Sequence, residues 1–284
     1  MRVLILGRSG QLAQALMGSI PAGIEAVAWG REELDLHETS RIRSMIVEFS
    51  PDAVINASAY TAVDKAESER ENAERLNVIA VGEIAGAARD LGCPFVHVST
   101  DFVFDGSASR PYESDAMCSP LGVYGETKFQ GERLILAECP QAAIVRTAWV
   151  YRAGSANFMS TMLRLMAERD ELGVVADQIG TPTSADNLAN VIWRVLQKRL
   201  NGVWHYTDAG AASWYDFACA IYRGAKQHQL LTSTVAIKPL RTEDYPTPAR
   251  RPAYSVLNSA PLRVAVGFPA IHWQDALEEQ LTKL

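Results

Sequence analysis

The stretch Arg2-Val3-Leu4-Ile5-Leu6-Gly7-Arg8-Ser9-Gly10-Gln11-Leu12-Ala13 decides the fold. Five residues with a continuous apolar run read as a buried strand, and a glycine turn follows them directly. An alanine- and leucine-rich segment, Gln11–Ile20, then carries helical spacing. Outward from there the same unit repeats. Ile24–Trp29 reads as a second strand, and Glu38–Phe49 as a helix stopped by Pro51. Ala53–Asn56 is a third strand, and the alanine-rich Ser68–Leu91 is a helix ended by Gly92 and Pro94. Phe95–Ser99 and Ala143–Thr147 are further strands, separated by a helix over Val123–Ala137. Strand–helix alternation of this kind predicts an α/β fold, a doubly wound, Rossmann-type parallel sheet with helices on both faces. Residues 1–150 are expected to form this dinucleotide-binding domain. After Tyr151 the rhythm loosens into helices at Phe158–Arg169, Ala185–Arg199 and Trp214–His228. Short strands (Leu172–Val175, Val203–Tyr206) and a proline-rich stretch, Pro239–Pro252, lie among them. Residues 151–284 therefore read as a smaller α/β substrate lobe, some segments of which return to the sheet, with the ligand cleft between the two.

Composition narrows the function. The 284 residues carry 27 Lys+Arg against 33 Asp+Glu, a net charge of −6, and 48% of them are apolar. Disorder and low complexity are excluded. An acidic balance with no long Lys/Arg run argues against nucleic acid or an anionic membrane as partner. No apolar run reaches the ~20 residues of a membrane span, and Val3–Leu6 is too short for a signal-peptide core. Cys93, Cys118, Cys139 and Cys219 stand far apart, as do the five histidines, so neither a zinc site nor a disulfide framework is expected. A reducing compartment, most simply the cytoplasm, is the expectation.

Four places carry potential chemistry. Gly7 permits a tight turn after the first strand, Gly10 lets backbone approach a pyrophosphate, and Ala13 allows close helix–strand packing. The spacing departs from Gly-x-Gly-x-x-Gly, and a ligand-free turn is the competing reading. At the end of the second strand Arg31 stands where an acid would serve NAD. With Arg8 it suits the 2′-phosphate of NADP, unless it is only a solvated charge beside Glu32 and Glu33. Tyr124 and Lys128 lie four apart and share a helix face, so that the ammonium can favour the phenolate; a surface pair is the alternative. Thr100-Asp101, leaving a strand at its carboxyl end, can bond and orient a substrate oxygen or merely cap a turn.

Taken in order, these segments resemble the extended short-chain dehydrogenase/reductases, and within them the dTDP-4-dehydrorhamnose reductases. The resemblance runs along essentially the whole chain. It includes Gly7–Ala13, Asn56-Ala57-Ser58-Ala59-Tyr60-Thr61-Ala62-Val63-Asp64-Lys65-Ala66-Glu67, Ser99–Gly106, Tyr124–Lys128, Arg146–Tyr151, Asp177-Gln178-Ile179-Gly180-Thr181-Pro182-Thr183, and Arg251-Pro252 with Leu257-Asn258. The resemblance implies a Thr100, Tyr124 and Lys128 catalytic set. It implies dinucleotide contacts at Gly7, Gly10, Gln11, Leu12, Asp35, Leu36, Ala59, Tyr60 and Thr61, with Tyr124 and Lys128 reaching the nicotinamide ribose. Thr100, Asp101 and Trp149 would meet the sugar and Arg251 the diphosphate, although Trp149 also reads as plain core. NADPH is the expected cofactor, NADH a second option, and a dTDP-sugar the expected substrate of a monomer or homodimer. The expected reaction is reduction of the C4 ketone of dTDP-4-dehydro-L-rhamnose. Two other readings stay open: a reductase of another nucleotide-linked 4-ketosugar, and a non-catalytic NADP-binding regulatory subunit. Asp64–Glu67 reads as the solvated start of a helix. Some relatives bind magnesium through acidic residues at a subunit interface. The matching positions here are Ala15, Asp186 and Gln274, so no metal is expected.

Overall fold

A computed structural model describes residues 1–284. Six parallel strands form the central sheet: β1 (Arg2–Leu6), β2 (Glu25–Trp29), β3 (Ala53–Asn56), β4 (Phe95–Thr100), β5 (Ala143–Thr147) and the strand Gly202–His205. Their spatial order, from one edge, is Gly202–His205, β5, β4, β3, β1, β2. Alternation within β1 explains the double cover. Val3 and Ile5 point into one layer, Leu4 and Leu6 into the other, and all four are buried. The first layer holds α1 (Gln11–Gly18) with the helices Ala185–Gln197 and Ala260–Val266. The second holds α2 (Thr39–Phe49) with Ala80–Leu91 and Val123–Glu138.

The chain thus returns to the first body over residues 185–205 and again at Ala260–Val266. Val203–Tyr206, expected as a short strand after the first domain, supplies the sixth strand of the main sheet, paired with β5 from Gly202↔Ala143 to His205↔Arg146. The helix beside it is pinned to α1, where Trp193 Nε1 donates to the Leu16 carbonyl at 3.2 Å. The remaining residues build a smaller lobe. Its core packs Met159, Met162 and Met166 from Phe158–Glu168 against Phe217 and Ile221 from Trp214–Gln227, closed by Trp273 and Leu277.

Two expectations change. The helix expected over Ser68–Leu91 starts at Arg70 and runs unbroken to Leu91, but it carries a π-helical turn at Arg75–Ile79. The proline-rich stretch begins inside a strand, Ala236–Leu240, which pairs in parallel with Glu171–Val175. A two-stranded sheet tolerates Pro239 because its missing N–H falls on an open edge. No helix is long and apolar enough to cross a membrane.

Candidate active site

The glycine turn lies between β1 and α1. Gly7 sits at φ +104°, and a Cβ there would come within 3.1 Å of the Ser58 backbone, so side chains are excluded by both conformation and space. Gly10 closes the turn by donating to the Gly7 carbonyl at 2.8 Å and opens α1 with no side-chain cap, leaving the first-turn N–H groups facing outward. Beside this turn a cleft is lined by Gly7, Ser9, Gly10, Gly30, Arg31, Asp35, Leu36, Ala57–Ala59 and Thr61. An uncapped helix end, two close-approach glycines and a cationic rim fit a dinucleotide, with the pyrophosphate over Gly7–Gly10 and the adenosine ribose toward Arg31 and Asp35. Asp35 is held below the ordinary carboxylate range by the backbone N–H and ring of His37.

Not every residue expected at this cleft faces it. Leu12 is packed into the core at 7% exposure, so only its backbone can serve a ligand. Gln11 turns its amide to the Val150 carbonyl at 2.9 Å and receives Asn157 at 3.3 Å, which ties the turn to the lobe. Tyr60 sends its hydroxyl to Glu69 at 2.8 Å. Arg8 is paired with Glu32 and Glu33 and leaves Arg31 as the cation on the cleft wall.

Around the carboxyl end of β4 the structure gathers Thr100, Asp101, Tyr124 and Lys128. A surface pair is excluded for Tyr124 and Lys128, because Lys128 is 2% exposed. Two glycines of the helix Val123–Glu138 make this approach possible. A Cβ on Gly125 would lie 2.1 Å from the Phe102 carbonyl, and one on Gly131 would lie 2.0 Å from that of Asn77. Tyr124 therefore rests edge-on against Phe102, with ring centroids 5.5 Å apart. Lys128 Nζ donates to the Val98 carbonyl at 2.8 Å and meets His97 Nε2 at 3.1 Å.

The electrostatics differ from the expectation. Burial pushes the Tyr124 phenol up to about 12, with the Thr100 side chain opposing and the Asp101 charge adding to the rise. Burial brings Lys128 down to about 8, opposed by Glu132. Burial thus favours the protonated phenol, the form a proton donor needs.

Asp101 is 2% exposed. Its Oδ1 accepts from Thr100 at 3.1 Å, and its Oδ2 has no partner. Burial raises it to about 6, opposed by Ser255, which stands close without bonding to Oδ2, and by Thr100. A carboxyl whose folded value lies above its unfolded one binds extra protons in the native state, so stability rises as pH falls through about 6 toward 3.8. An elevation of this size corresponds to at most about 3 kcal/mol. Asp101→Asn is expected to remove this part of the pH dependence and to stabilise the protein above pH ~7. Chemical unfolding of both proteins between pH ~5 and ~8 checks it; parallel curves would sink the assignment. Asp208, buried and also raised to about 6, is common to both proteins and cancels in the comparison.

In the lobe, a second cavity is lined by Phe158, Met162, Leu165, Gln178, Trp214, Tyr245, Thr247 and Arg251. Half-buried Trp149 stacks on Trp214 of this wall, the rings nearly parallel with centroids 3.5 Å apart. It adopts φ +48°, a rare conformation for a bulky residue, and fills the space over Gly180, where a Cβ would lie 2.5 Å from the indole. Arg251 faces the cavity but donates both ends of its guanidinium to Asp64, at 3.0 and 2.8 Å, and also meets Thr247. Asp64–Glu67 is accordingly more than a solvated helix start. Asp64 joins the two halves through Arg251, and Glu67 accepts the Val123 N–H at 2.9 Å, capping the helix that carries Tyr124.

Asn77 was outside the expected site. It lies in the π-helical turn and clamps Tyr60 from both sides, accepting from its N–H at 2.9 Å and donating to its carbonyl at 3.2 Å; it also donates to Thr127 at 3.1 Å. An asparagine in an alanine-rich helix was the available signal, since such a residue competes for backbone groups. The three positions weighed for magnesium are differently employed. Ala15 is core, Gln274 is exposed, and Asp186 is matched by Arg152, Lys283 and Gln280.

A Rossmann-type sheet with a Thr, Tyr and Lys set around the end of its fourth strand defines the short-chain dehydrogenase/reductase class. Residues 1–284 match the family model described as the RmlD substrate binding domain, and the chain belongs to that family. A dTDP-4-dehydrorhamnose reductase of Aggregatibacter actinomycetemcomitans is 40% identical, over 98% of this chain and 97% of its own. The crystal structure of a dTDP-4-dehydrorhamnose reductase from Clostridium acetobutylicum superposes with a TM-score of 0.94 at 37% identity, covering 100% of this chain and 99% of that one. One from Bacillus anthracis, in complex with NADP, gives 0.93 at 33%, with the same coverage.

Proposed function

We propose that this chain reduces the C4 ketone of dTDP-4-dehydro-L-rhamnose to dTDP-L-rhamnose with NADPH. The observation that carries the reading is the gathering of Thr100, Tyr124 and a fully buried Lys128 at one strand end beside the glycine-turn cleft. Relatives and neighbours bearing the reductase name over nearly their whole length support it. When bound, the reduced nicotinamide supplies the hydride to C4. Gly7, Gly10 and the first turn of α1 would hold the pyrophosphate, and Lys128 the nicotinamide ribose. Thr100, turning its one hydroxyl proton away from the Asp101 carboxyl, donates it to the ketone oxygen and favours the charge that grows there. Tyr124, protonated because its phenol is raised to about 12, gives its proton to the developing alkoxide. Asp101 and Trp149 position the sugar. The lobe cavity, with Arg251 on its wall, takes the dTDP portion, whose remote contacts align the ketone.

The test generates dTDP-4-dehydro-L-rhamnose with the enzymes that form it, adds this protein with NADPH or NADH, and follows nicotinamide absorbance. The expected result is oxidation of NADPH with dTDP-L-rhamnose as product. Binding of NADPH without turnover would overturn the assignment of substrate. Arg31 tests the cofactor side. As the cation on the cleft wall, its loss in Arg31→Ala is expected to lower kcat/KM for NADPH roughly tenfold while leaving NADH within about twofold. Equal losses with both cofactors would place Arg31 away from the 2′-phosphate.

A further inference from the structure

Behind Lys128 the sheet holds a chain of polar side chains that the reaction above does not use. Asn56 at the end of β3 and His97 in the middle of β4 are both 0% exposed. The Asn56 Oδ1 accepts from the backbone N–H of Ser58 at 3.0 Å and from the Ser58 hydroxyl. A backbone N–H can only donate, so this contact fixes the amide with its Nδ2 toward His97, where Nδ1 lies 3.1 Å away. Amide nitrogen also only donates, so His97 Nδ1 must accept. A neutral imidazole carries one proton, which then stands on Nε2, the atom that faces Lys128 Nζ at 3.1 Å. An ammonium has no lone pair to accept it. An uncharged amine does, and its own hydrogens can still serve the Val98 carbonyl at 2.8 Å.

We propose that His97 is a positioning residue of this site, whose Nε2–H, oriented by Asn56, donates to Lys128 Nζ and favours the uncharged amine. The surroundings leave this contact in command. His97 is kept neutral chiefly by burial, well below its ordinary value. Asn56 of β3 is uncharged. On the lysine's own helix Glu132 favours the ammonium, but it is committed to Arg146 of β5 through both carboxylate oxygens. Tyr124 keeps its proton, and Asp101 lies beyond Val98 at the strand end. The lysine thereby gives up its proton more readily than an exposed one. Its bearing on catalysis rests on the role proposed for Lys128 above.

Two measurements on the full chain decide it. Long-range 15N–1H correlation on the 15N-labelled wild-type protein reads the tautomer directly. Protonated Nε2 with bare Nδ1 is expected, and a protonated Nδ1 would overturn the proposal without any substitution being needed. Next, the 13Cε resonance of Lys128, assigned by its absence in Lys128→Met, is titrated in the wild type and in His97→Gln. A glutamine amide can turn its carbonyl toward Nζ, so the midpoint is expected to rise by about one pH unit or more. An unchanged midpoint overturns the proposal. Activity is a separate readout. The alkaline limb of kcat should move upward with that midpoint. A shifted resonance with an unmoved limb would support the His97 contact and overturn the role given to Lys128.

Discussion

Replacing Tyr124 by Phe is expected to lower kcat by roughly 10²- to 10⁴-fold, the range for losing a positioned general acid. The structure makes this substitution clean. The ring is held by its edge contact with Phe102 and by the close approach of Gly125 to the Phe102 carbonyl, and neither involves the hydroxyl. Folding and NADPH affinity should therefore change little, so that kcat and kcat/KM fall together. Turnover would be followed with saturating NADPH, and cofactor affinity by fluorescence titration of the same protein. Near-full turnover in Tyr124→Phe would mean that the proton comes from elsewhere, with Asp101, raised to about 6 and bonded to Thr100, the next group to examine.

The reach of sequence reasoning followed the range of the interactions that fix each residue. The glycine turn was legible because conformation and space at Gly7 are local to one strand–helix junction, and the strands were legible because double burial leaves a continuous apolar run. The Tyr124–Lys128 pair showed its shared face, but not that both are drawn under a strand end. That depends on Gly125 and Gly131 meeting carbonyls far away in the chain. The lowered value of Lys128 and the raised one of Tyr124 were hidden for the same reason, since burial is a property of the assembled layers. Asn77, Asp64 and Glu67 act through partners 17, 187 and 56 residues away, and no spacing rule reports such contacts. The placement of Gly202–His205 in the main sheet is equally nonlocal. As an edge strand it buries only part of its surface and so reads like a short strand of the lobe.

Glu132 should be the most sensitive position for stability beneath this site. It is 2% exposed, and its carboxylate receives Arg146, 4% exposed, at 3.0 and 2.7 Å. Arg146 in turn donates to the Ser114 carbonyl at 3.2 Å and lies over the Phe104 ring at 5.2 Å, anchoring the segment between β4 and the helix of Tyr124. Glu132→Leu leaves a guanidinium buried without its counter-charge and is expected to cost about 3–5 kcal/mol in unfolding free energy. The double variant Glu132→Leu, Arg146→Met removes both charges and should recover most of that loss, because the pair's mutual attraction largely repays its own desolvation. Equilibrium denaturation of the three proteins checks this; a single variant within about 1 kcal/mol of wild type would show that water reaches Arg146. The double variant also bears on function. Glu132 favours the Lys128 ammonium, but Arg146, removed with it, carries the opposite charge, so the lysine is expected to titrate close to where it does in the wild type. The alkaline limb of activity should then stay near its wild-type position, in contrast to the upward shift expected for His97→Gln, so a contact to Nζ is told apart from a neutral change in the ion pair beneath it.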